Sequence, residues 1–166
     1  DAFAPRYFLN QNTEFILSHS FSKNFGLYSE RCGLISFFLD NRGDGDNKIE
    51  KRVSRYIRTI YSNPPSNGSN IVKTILSDEK LFDLWKKDSQ IMSGRIKKMR
   101  KEIGLKYVEE QIGMFGFLRL NTEQIDKLIH KYHIYIPYDG RISIAGLNKQ
   151  NIDYFTESLH SVLSDE

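Results

Sequence analysis

The sequence predicts a fold that mixes helices with strands, of the α/β or α+β class. Short runs rich in β-branched and aromatic residues alternate with longer segments whose apolar side chains recur every three or four positions. In the second half of the chain the predicted order is strand, helix, strand, strand, helix, which is typical of both classes. The 166 residues, 39% of them hydrophobic, are enough for one ordinary domain or for parts of two.

Two predicted strands in the first half flank a polar loop. Residues 14–19 and 32–39 read EFILSH and CGLISFFL, and both apolar runs are expected to be buried strands. The loop between them carries a single lysine, Lys23, among serines, a glycine and a tyrosine. Such loops, held by a rigid scaffold, are where functional side chains are presented. After the second strand, DNRGDGDN over residues 40–47 predicts a surface turn.

Three helices are predicted in the middle of the chain. The first spans residues 49–60 and ends before the prolines of YSNPPSNGSN, and a short one covers residues 71–76. The third begins at Ser77, a good N-cap, and runs to about Leu105, which is long enough to bridge two domains. Its stripe, at spacings of three and four, consists of Leu81, Trp85, Asp88, Met92, Ile96, Met99 and Ile103, in which only the aspartate is polar.

The last third of the chain changes pattern. Asn121 and Gln124 have the spacing of a capping box for a helix over residues 122–132. Asn148 is expected to cap a final helix that carries an apolar face. Strands are predicted over residues 114–118, 134–136 and 141–145.

The residues around Lys23 favour a cofactor site over an ordinary surface charge. Ser20 and Ser22 supply hydroxyl groups, Tyr28 supplies a phenol, and the guanidinium of Arg31 can bind a phosphate through two parallel hydrogen bonds. A lysine amine beside phosphate-binding groups is what pyridoxal phosphate (PLP) needs, because the lysine bonds to its aldehyde. A nucleotide-binding loop of the form GxxxxGK[ST] is absent from the sequence.

Composition argues against several other classes of protein. The net charge of +3 is mild for a dedicated nucleic-acid binder. The basic cluster of Lys97, Lys98, Arg100 and Lys101 is interpreted as a solvated helix face, because no aromatic stacking platform accompanies it. We therefore expect no nucleic-acid partner. Trp85 is interpreted as a helix-packing residue.

Metal, disulfide and membrane signals are lacking in the sequence. The histidines show no metal-ligand spacing with one another or with Cys32, so no metal site is expected. Cys32, as the one cysteine, excludes an internal disulfide, indicates a reducing compartment and is interpreted as a small buried residue. No apolar run approaches the roughly 20 residues of a membrane span, so no membrane partner is expected.

The lysine loop resembles the cofactor-lysine segment of aspartate aminotransferases, which are fold-type I PLP-dependent transferases. SFSKNFGLYSERCG matches the pattern S-x-S-K-N-F-G-L-Y-x-E-R-x-G at every defined position. DAFAPRYF, RTIYSNPPSNG, QIGMFGFL and GRISIAGLNKQNIDY resemble further segments of the same family. The resemblance covers essentially the whole chain. It implies the end of the large cofactor domain of the α/β fold, followed by the C-terminal part of the small domain.

The resemblance implies a role for each residue of the lysine loop. Lys23 would be the Schiff-base lysine and the base that moves the proton on the substrate. Ser20 and Arg31 would bind the cofactor phosphate, and Tyr28 would shape the site near the lysine. The implied reaction is reversible amino-group transfer between aspartate and 2-oxoglutarate, giving oxaloacetate and glutamate.

Substrate-binding residues are implied in the same way. Arg141 would bind the α-carboxylate of the amino acid or 2-oxo acid, with Phe115 packed near it. Arg58 would bind the distal carboxylate of aspartate or glutamate. In the family this arginine acts across a homodimer interface, so a homodimer is implied, with Arg58 reaching the partner's site.

The resemblance also implies how the chain is organised. Residues 1–76 would finish the large PLP-binding domain, residues 77–107 would form a long interdomain helix, and residues 108–166 would belong to the small domain. Because DAFAPRYFL has no start methionine or signal-peptide layout, the chain is expected to be a segment of a longer protein. The expected compartment is the cytoplasm, with the mitochondrion as the open alternative.

Two other functions stay open at this level. An aromatic amino acid aminotransferase can share both arginines, and the segment could be a non-catalytic basic binding module. The sequence departs from the family pattern in four residues. These are Gly116 for serine, Leu118 and Arg119 for a small polar residue and glycine, and Ser143 for asparagine. The family aspartate that pairs with the pyridine nitrogen lies upstream, in residues that this sequence does not contain.

Overall fold

A computed structural model describes residues 2–39 and 45–164, with the backbone alone for residues 45–47. The chain divides into two compact units, Asp1–Lys86 and Lys87–Glu166. The helices are α1 (Phe3–Asn10), α2 (Gly45–Tyr61), α3 (Asn67–Ser77), α4 (Glu79–Ile103), α5 (Lys106–Glu109), α6 (Thr122–His130) and α7 (Ile152–Ser164). The strands are β1 (Phe15–Ser20), β2 (Gly33–Phe38), β3 (Phe115–Phe117) and β4 (Arg141–Ser143).

In the first unit, β1 and β2 form an antiparallel hairpin that carries the lysine loop at its end. Ser20 pairs with Gly33 next to the loop, and Phe15 pairs with Phe38 at the far end. The two phenylalanine rings stack with their centroids 4.4 Å apart. The two predicted strands are therefore present, and their pairing fixes both ends of the loop between residues 21 and 32.

The prediction that both strands are buried is wrong. Ile16, Leu34 and Ile35 are 62%, 54% and 51% exposed. The sheet contains two strands within the described residues, so much of its apolar surface has no layer packed against it. The predicted turn over residues 40–47 is also partly wrong, because residues 45–47 already belong to α2. Its remaining residues, 40–44, lie outside the described part of the chain.

The helix α3 packs its first turn against the end of the lysine loop. Asn67 donates from its side-chain amide to Glu30 Oε2 at 2.9 Å. A β-carbon added at Gly68 would lie 2.8 Å from Cys32 Cβ, so this approach requires glycine. Cys32 is half-buried, which corrects the prediction of a buried residue, because it follows the exposed Arg31 at the open end of the hairpin.

The helix α4 is the long helix that the apolar stripe predicted, but a different residue caps it. Asp78 has extended backbone angles, and its carboxylate Oδ1 accepts a hydrogen bond from Leu81 N–H at 2.9 Å. Ser77 cannot serve because it is the last residue of α3. The predicted boundaries of the domains at residues 76 and 107 stay a prediction.

The second unit has a continuous apolar core. Its members, contributed by α4 to α7, by β4 and by the segments that follow β3 and β4, include the buried Ile103, Val108, Leu118, Leu128, Ile142, Ile144 and Leu159. The predicted capping box at the start of α6 is confirmed. Asn121 Oδ1 accepts from Gln124 N–H at 2.9 Å, and Gln124 Oε1 accepts from Asn121 N–H at 3.0 Å. Asn148, which was predicted to cap the last helix, instead forms a turn before α7 begins. Its Oδ1 accepts a hydrogen bond from Gln150 N–H at 2.8 Å.

The predicted strand over residues 134–136 is wrong. These residues are irregular, and β3 pairs with β4 instead. The three residues alternate in burial without forming a strand. Ile134 and Ile136 pack against the core, while Tyr135 is exposed. The strand predicted over residues 141–145 ends at Ser143, where a 3₁₀ turn at Ile144–Gly146 takes over.

Candidate active site

Lys23 lies on a tight turn at the start of the loop between β1 and β2. The N–H of Phe25 donates to the Phe21 carbonyl, and the N–H of Gly26 donates to the Lys23 carbonyl, both at 3.3 Å. Gly26 has φ +67°, a left-handed conformation that suits glycine. The N–H of Phe21 donates to the Cys32 carbonyl at 3.0 Å, which closes the loop at its base. The backbone of Lys23 is therefore held while its side chain stays exposed.

The loop brings Lys23, Tyr28 and Arg31 together. The Lys23 Nζ lies 4.4 Å from the centroid of the Tyr28 ring. The Arg31 guanidinium donates through Nη1 to the Tyr28 carbonyl at 3.0 Å. Two cationic side chains thus lie against one tyrosine, and all three residues are exposed. This arrangement suits an anion that also carries a group reactive toward an amine.

Ser20 and Ser22 form a hydroxyl pair on the same loop. Ser20 Oγ donates to Ser22 Oγ at 3.1 Å and accepts from the Ser22 N–H at 3.2 Å. Ser22 is buried and Ser20 is exposed. Only the Ser20 hydroxyl is therefore on the accessible side, where the resemblance places a phosphate ligand.

Arg58 lies in the last turn of α2, in the same unit as Lys23, and its side chain is exposed. A cation in this position interacts favourably with the partial negative charge at the C-terminus of the helix. The structure leaves its guanidinium accessible for binding.

Arg141 begins β4 in the second unit and lies against an aromatic ring. Its guanidinium carbon is 5.4 Å from the centroid of the Phe115 ring on β3. The antiparallel register pairs Arg141 with Phe117, which leaves Phe115 two positions away across the sheet. The Arg141 N–H donates to Asp139 Oδ1 at 2.9 Å, so the turn before the strand is fixed as well. The predicted pair of Arg141 and Phe115 is therefore in contact.

A pocket of about 480 Å³ opens beside Arg141. Arg141 supplies charge to a lining whose other members are apolar or neutral: Phe115, Ile134, Tyr135, Ile136, Pro137, Ile142, Ser143, Leu147, Asn151, Tyr154 and Phe155. A carboxylate bound here would face a guanidinium next to apolar walls. Charge-assisted hydrogen bonds are stronger in such surroundings than in open water.

Arg100 supports the backbone beside this pocket. The prediction that Arg100 belongs to a solvated basic face is wrong. It is 2% exposed, and its Nη2 donates to the carbonyls of Ile112, Gly113 and Phe115 at 3.1, 2.9 and 2.7 Å. Burial lowers the pKa of its guanidinium below the ordinary value. The helical stripe could have given a signal, since Arg100 follows the core residue Met99 directly.

Two further side chains hold the backbone around the pocket, and the sequence analysis missed both. Arg95 donates to the carbonyls of Leu147 at 2.8 Å and Ala145 at 2.9 Å, just after β4. Gln111 brackets Phe117 by donating to its carbonyl at 3.0 Å and accepting from its N–H at 2.8 Å. Nothing in the local pattern marks them, because their acceptors are backbone groups.

The departure from the family pattern at Gly116 has a packing reason. Gly116 is buried, and a β-carbon there would lie 2.8 Å from Ile144 Cδ1 and 3.3 Å from Ile142 Cγ1. A serine at this position would therefore require the end of the Ile144 side chain to move. Gly116 leaves the neighbouring contact between Phe115 and Arg141 unaffected.

Some kinds of site are not found. Among the residues that the structure describes, no group of three or more His, Cys, Asp and Glu side chains is placed to hold a metal ion. Within the same ranges, no helix is both long enough and apolar enough to cross a membrane.

Comparison with known proteins places these features in a family. The family model described as "Aminotransferase class I and II" matches residues 1–159. The cytoplasmic aspartate aminotransferase of Dictyostelium discoideum is 41% identical over 170 residues, which cover 96% of this chain and 39% of that protein. The mitochondrial aspartate aminotransferase of Schizosaccharomyces pombe is 41% identical over 177 residues, which cover 99% and 40%.

A solved structure agrees with this placement. The aromatic-amino-acid aminotransferase from Burkholderia pseudomallei, described as covalently bound to pyridoxal phosphate, superposes with a TM-score of 0.90 at 34% identity. The match covers 98% of this chain and 43% of that chain. The fold is therefore that of a fold-type I transferase.

The chain belongs to the class I and II aminotransferase family. Its resemblance to aspartate aminotransferases, predicted from the lysine loop, is confirmed. The chain spans about two fifths of the length of these curated relatives.

Proposed function

We propose that the protein is a PLP-dependent aminotransferase that transfers an amino group reversibly between aspartate and 2-oxoglutarate. The observation that carries the proposal is the contact of Lys23 and Arg31 with one tyrosine in a single loop, at 4.4 Å and 3.0 Å. The names of the two relatives, which are 41% identical, support the choice of aspartate. The products in the forward direction are oxaloacetate and glutamate.

The donor set of the lysine loop fits PLP. The amine of Lys23 can form the covalent bond to the aldehyde, and the guanidinium of Arg31 and the hydroxyl of Ser20 can hold the phosphate. When bound, PLP supplies an electron-accepting ring that acidifies the α-hydrogen of the amino acid attached to it.

Lys23 would have a second role when PLP and an amino acid are bound. Its free amine would be the group that takes the proton from the substrate Cα and gives it back, as a general base and then a general acid. In the free protein the ammonium group of Lys23 packs on the face of the Tyr28 ring. The held backbone and this contact together position the lysine before it reacts.

Arg141 would bind the α-carboxylate that every amino acid and 2-oxo acid substrate carries. Its contact with Phe115 orients the planar guanidinium and leaves the pocket side free for two parallel hydrogen bonds. Arg141 is exposed, so its guanidinium is accessible to a substrate carboxylate that enters the pocket.

Arg58 would bind the distal carboxylate that distinguishes aspartate and glutamate from neutral amino acids. The family resemblance implies that it does so in the partner subunit's site, so we propose a homodimer. A substrate that lacks the second carboxylate would leave the Arg58 guanidinium unpaired, and this would disfavour neutral amino acids.

Transamination of aromatic amino acids is the second candidate. The pocket beside Arg141 is rich in apolar and aromatic side chains, and the B. pseudomallei relative is named as an aromatic-amino-acid aminotransferase. The two candidates share the chemistry of Lys23 and differ in how much they depend on Arg58. A cytoplasmic location is proposed as well, although the relatives include both cytoplasmic and mitochondrial proteins.

The test is to trap the cofactor on the full-length protein. Borohydride reduction after incubation with PLP should add a pyridoxyl phosphate group to Lys23, as seen by peptide mass spectrometry. Lys23→Ala should lose the modification and nearly all turnover of aspartate with 2-oxoglutarate, because the anchor and the proton carrier are both removed. A Lys23→Ala variant that keeps most of the wild-type rate would show the assignment to be wrong.

A further inference from the structure

We propose that Trp85 is a positioning residue for Lys23, which acts through the backbone just after the lysine. The proposal deepens the proposed function and rests on it for the role of Lys23. Trp85 lies on α4, and its indole N–H donates to the carbonyl of Asn24 at 2.7 Å. The indole ring also stacks on Phe25, with centroids 4.9 Å apart and an angle of 15° between the planes.

These contacts hold the two residues that follow Lys23 in the chain, one by its backbone and the other by its side chain. The hydrogen bond holds the carbonyl of Asn24, and the stack holds the side chain of Phe25. Phe25 in turn meets Phe21 edge to face at 5.4 Å, so its ring lies between the start of the loop and α4. Together with the bond from Gly26 N–H to the Lys23 carbonyl, they leave the lysine backbone little freedom.

The position of the Lys23 backbone, from which the side chain extends, matters more here than it does for an ordinary surface lysine. The same amine must reach the cofactor aldehyde and later the substrate Cα, and small misplacements of a reacting group reduce rates strongly. Tyr28 constrains the amine end, and Trp85 constrains the backbone end. This is more than core packing, because the short bond to Asn24 joins residues 61 positions apart and ends next to the reacting lysine.

The polar contact of the indole is the one that reaches the loop. Trp85 is half-buried, so its one polar atom needs a partner, and Asn24 provides it. Phe82, one turn earlier on α4, lies beside the indole ring at 5.7 Å and takes no part in this hydrogen bond. The side chain therefore has the polar contact that a positioning role requires.

The experiment uses the full-length protein and the variant Trp85→Phe, which keeps an aromatic ring and removes the N–H. Phe82→Leu is the matched control, because it removes a ring from the same stack and leaves the bond to Asn24. Amide hydrogen exchange of the Phe25 and Gly26 N–H groups is measured without PLP. Turnover with aspartate is measured on the loaded enzyme.

We expect Trp85→Phe to exchange these two amides about 2- to 12-fold faster, which corresponds to one neutral hydrogen bond. The kcat should fall by a similar factor with KM within about twofold, because substrate binding does not involve the loop backbone. Phe82→Leu should change neither quantity by more than about twofold. Trp85→Tyr, which also lacks the indole N–H, should behave like Trp85→Phe and serves if the first variant does not fold.

Three results would overturn the proposal. Exchange and kcat in Trp85→Phe could equal those of the wild type, or Phe82→Leu could reproduce the loss. Exchange could also rise equally over the whole chain, which would mean a merely structural role. Failure of the proposed function is separate, because wild-type protein would then show no pyridoxyl group on Lys23 after borohydride.

Discussion

Arg31 combines a charged side chain with a left-handed backbone, at φ +48°. Residues with a β-carbon adopt this conformation at a cost, and such residues cluster at functional sites. Here the conformation accompanies the bond from its guanidinium to the Tyr28 carbonyl. At the scale of single residues, the site therefore depends on both side-chain chemistry and an unusual backbone angle.

The two substrate arginines should respond differently to substitution. Arg58→Ala should lower kcat/KM for aspartate about 10- to 150-fold, the equivalent of one charge-assisted hydrogen bond, and should affect phenylalanine far less. Arg141→Ala should weaken both substrates, because each carries an α-carboxylate. Steady-state kinetics with both amino acids on both full-length variants measure this.

Lys51→Ala is a suitable control for Arg58→Ala, since it removes an exposed cation from the same helix. Equal losses for aspartate and phenylalanine in Arg58→Ala would refute the division of roles. Phenylalanine turnover above that of aspartate in the wild type would favour the aromatic candidate.

At the scale of secondary-structure elements, β3 and β4 are too short to hold themselves in place. Each has three residues, so their ladder contributes few hydrogen bonds. Arg100 and Gln111 supply the missing support by binding the backbone before and within β3. The position of Phe115, and through it that of Arg141, depends on α4 more than on the sheet.

Arg100→Met should therefore destabilise the second unit in the full-length protein. We expect a loss of about 1–3 kcal/mol in the free energy of unfolding, because three carbonyls lose their cationic donor. Lys101→Met, an exposed neighbour on the same helix, is the control. Urea unfolding followed by circular dichroism measures both. An equal midpoint for the two variants would contradict the supporting role.

At the scale of the whole molecule, the chain leaves much apolar surface open. The hairpin exposes Ile16, Leu34 and Ile35, and α2 exposes Tyr56 and Ile60 at 70% and 76%. Large apolar patches are rare on the surface of monomeric soluble proteins, and Ile16 and Ile35 share one face of the hairpin. The chain also spans about two fifths of the length of its curated relatives.

We expect residues 1–166 alone not to transaminate. The resemblance assigns the partner of the pyridine nitrogen to upstream residues, and without it the cofactor ring is a poor electron acceptor. The two-stranded sheet also has open apolar edges, which favour aggregation. The segment should be expressed alone, given PLP and assayed with aspartate and 2-oxoglutarate. A kcat of roughly 1–1,000 per second would contradict the prediction.

The residues of the candidate site and most of the elements that carry them could be predicted from the sequence. Lys23, Arg31 and their neighbours form a contiguous pattern, and the capping box at Asn121 is read from a spacing of three residues. Such signals are local, because periodicity and side-chain type act within a few residues of each other. The same locality explains why α4 was predicted to within a few residues at either end.

Tertiary structure alone decided the rest. The partners of Trp85, Arg95 and Arg100 are backbone carbonyls 12 to 61 positions away, and any residue could supply them. Whether the hairpin is buried and whether residues 134–136 pair as a strand also depend on which elements pack beside them. The predictions of buried strands and of a strand over residues 134–136 were therefore wrong. The sequence by itself determined which residues make up the candidate site. The fold determined which groups hold them still, because that requires contacts between residues far apart in the chain.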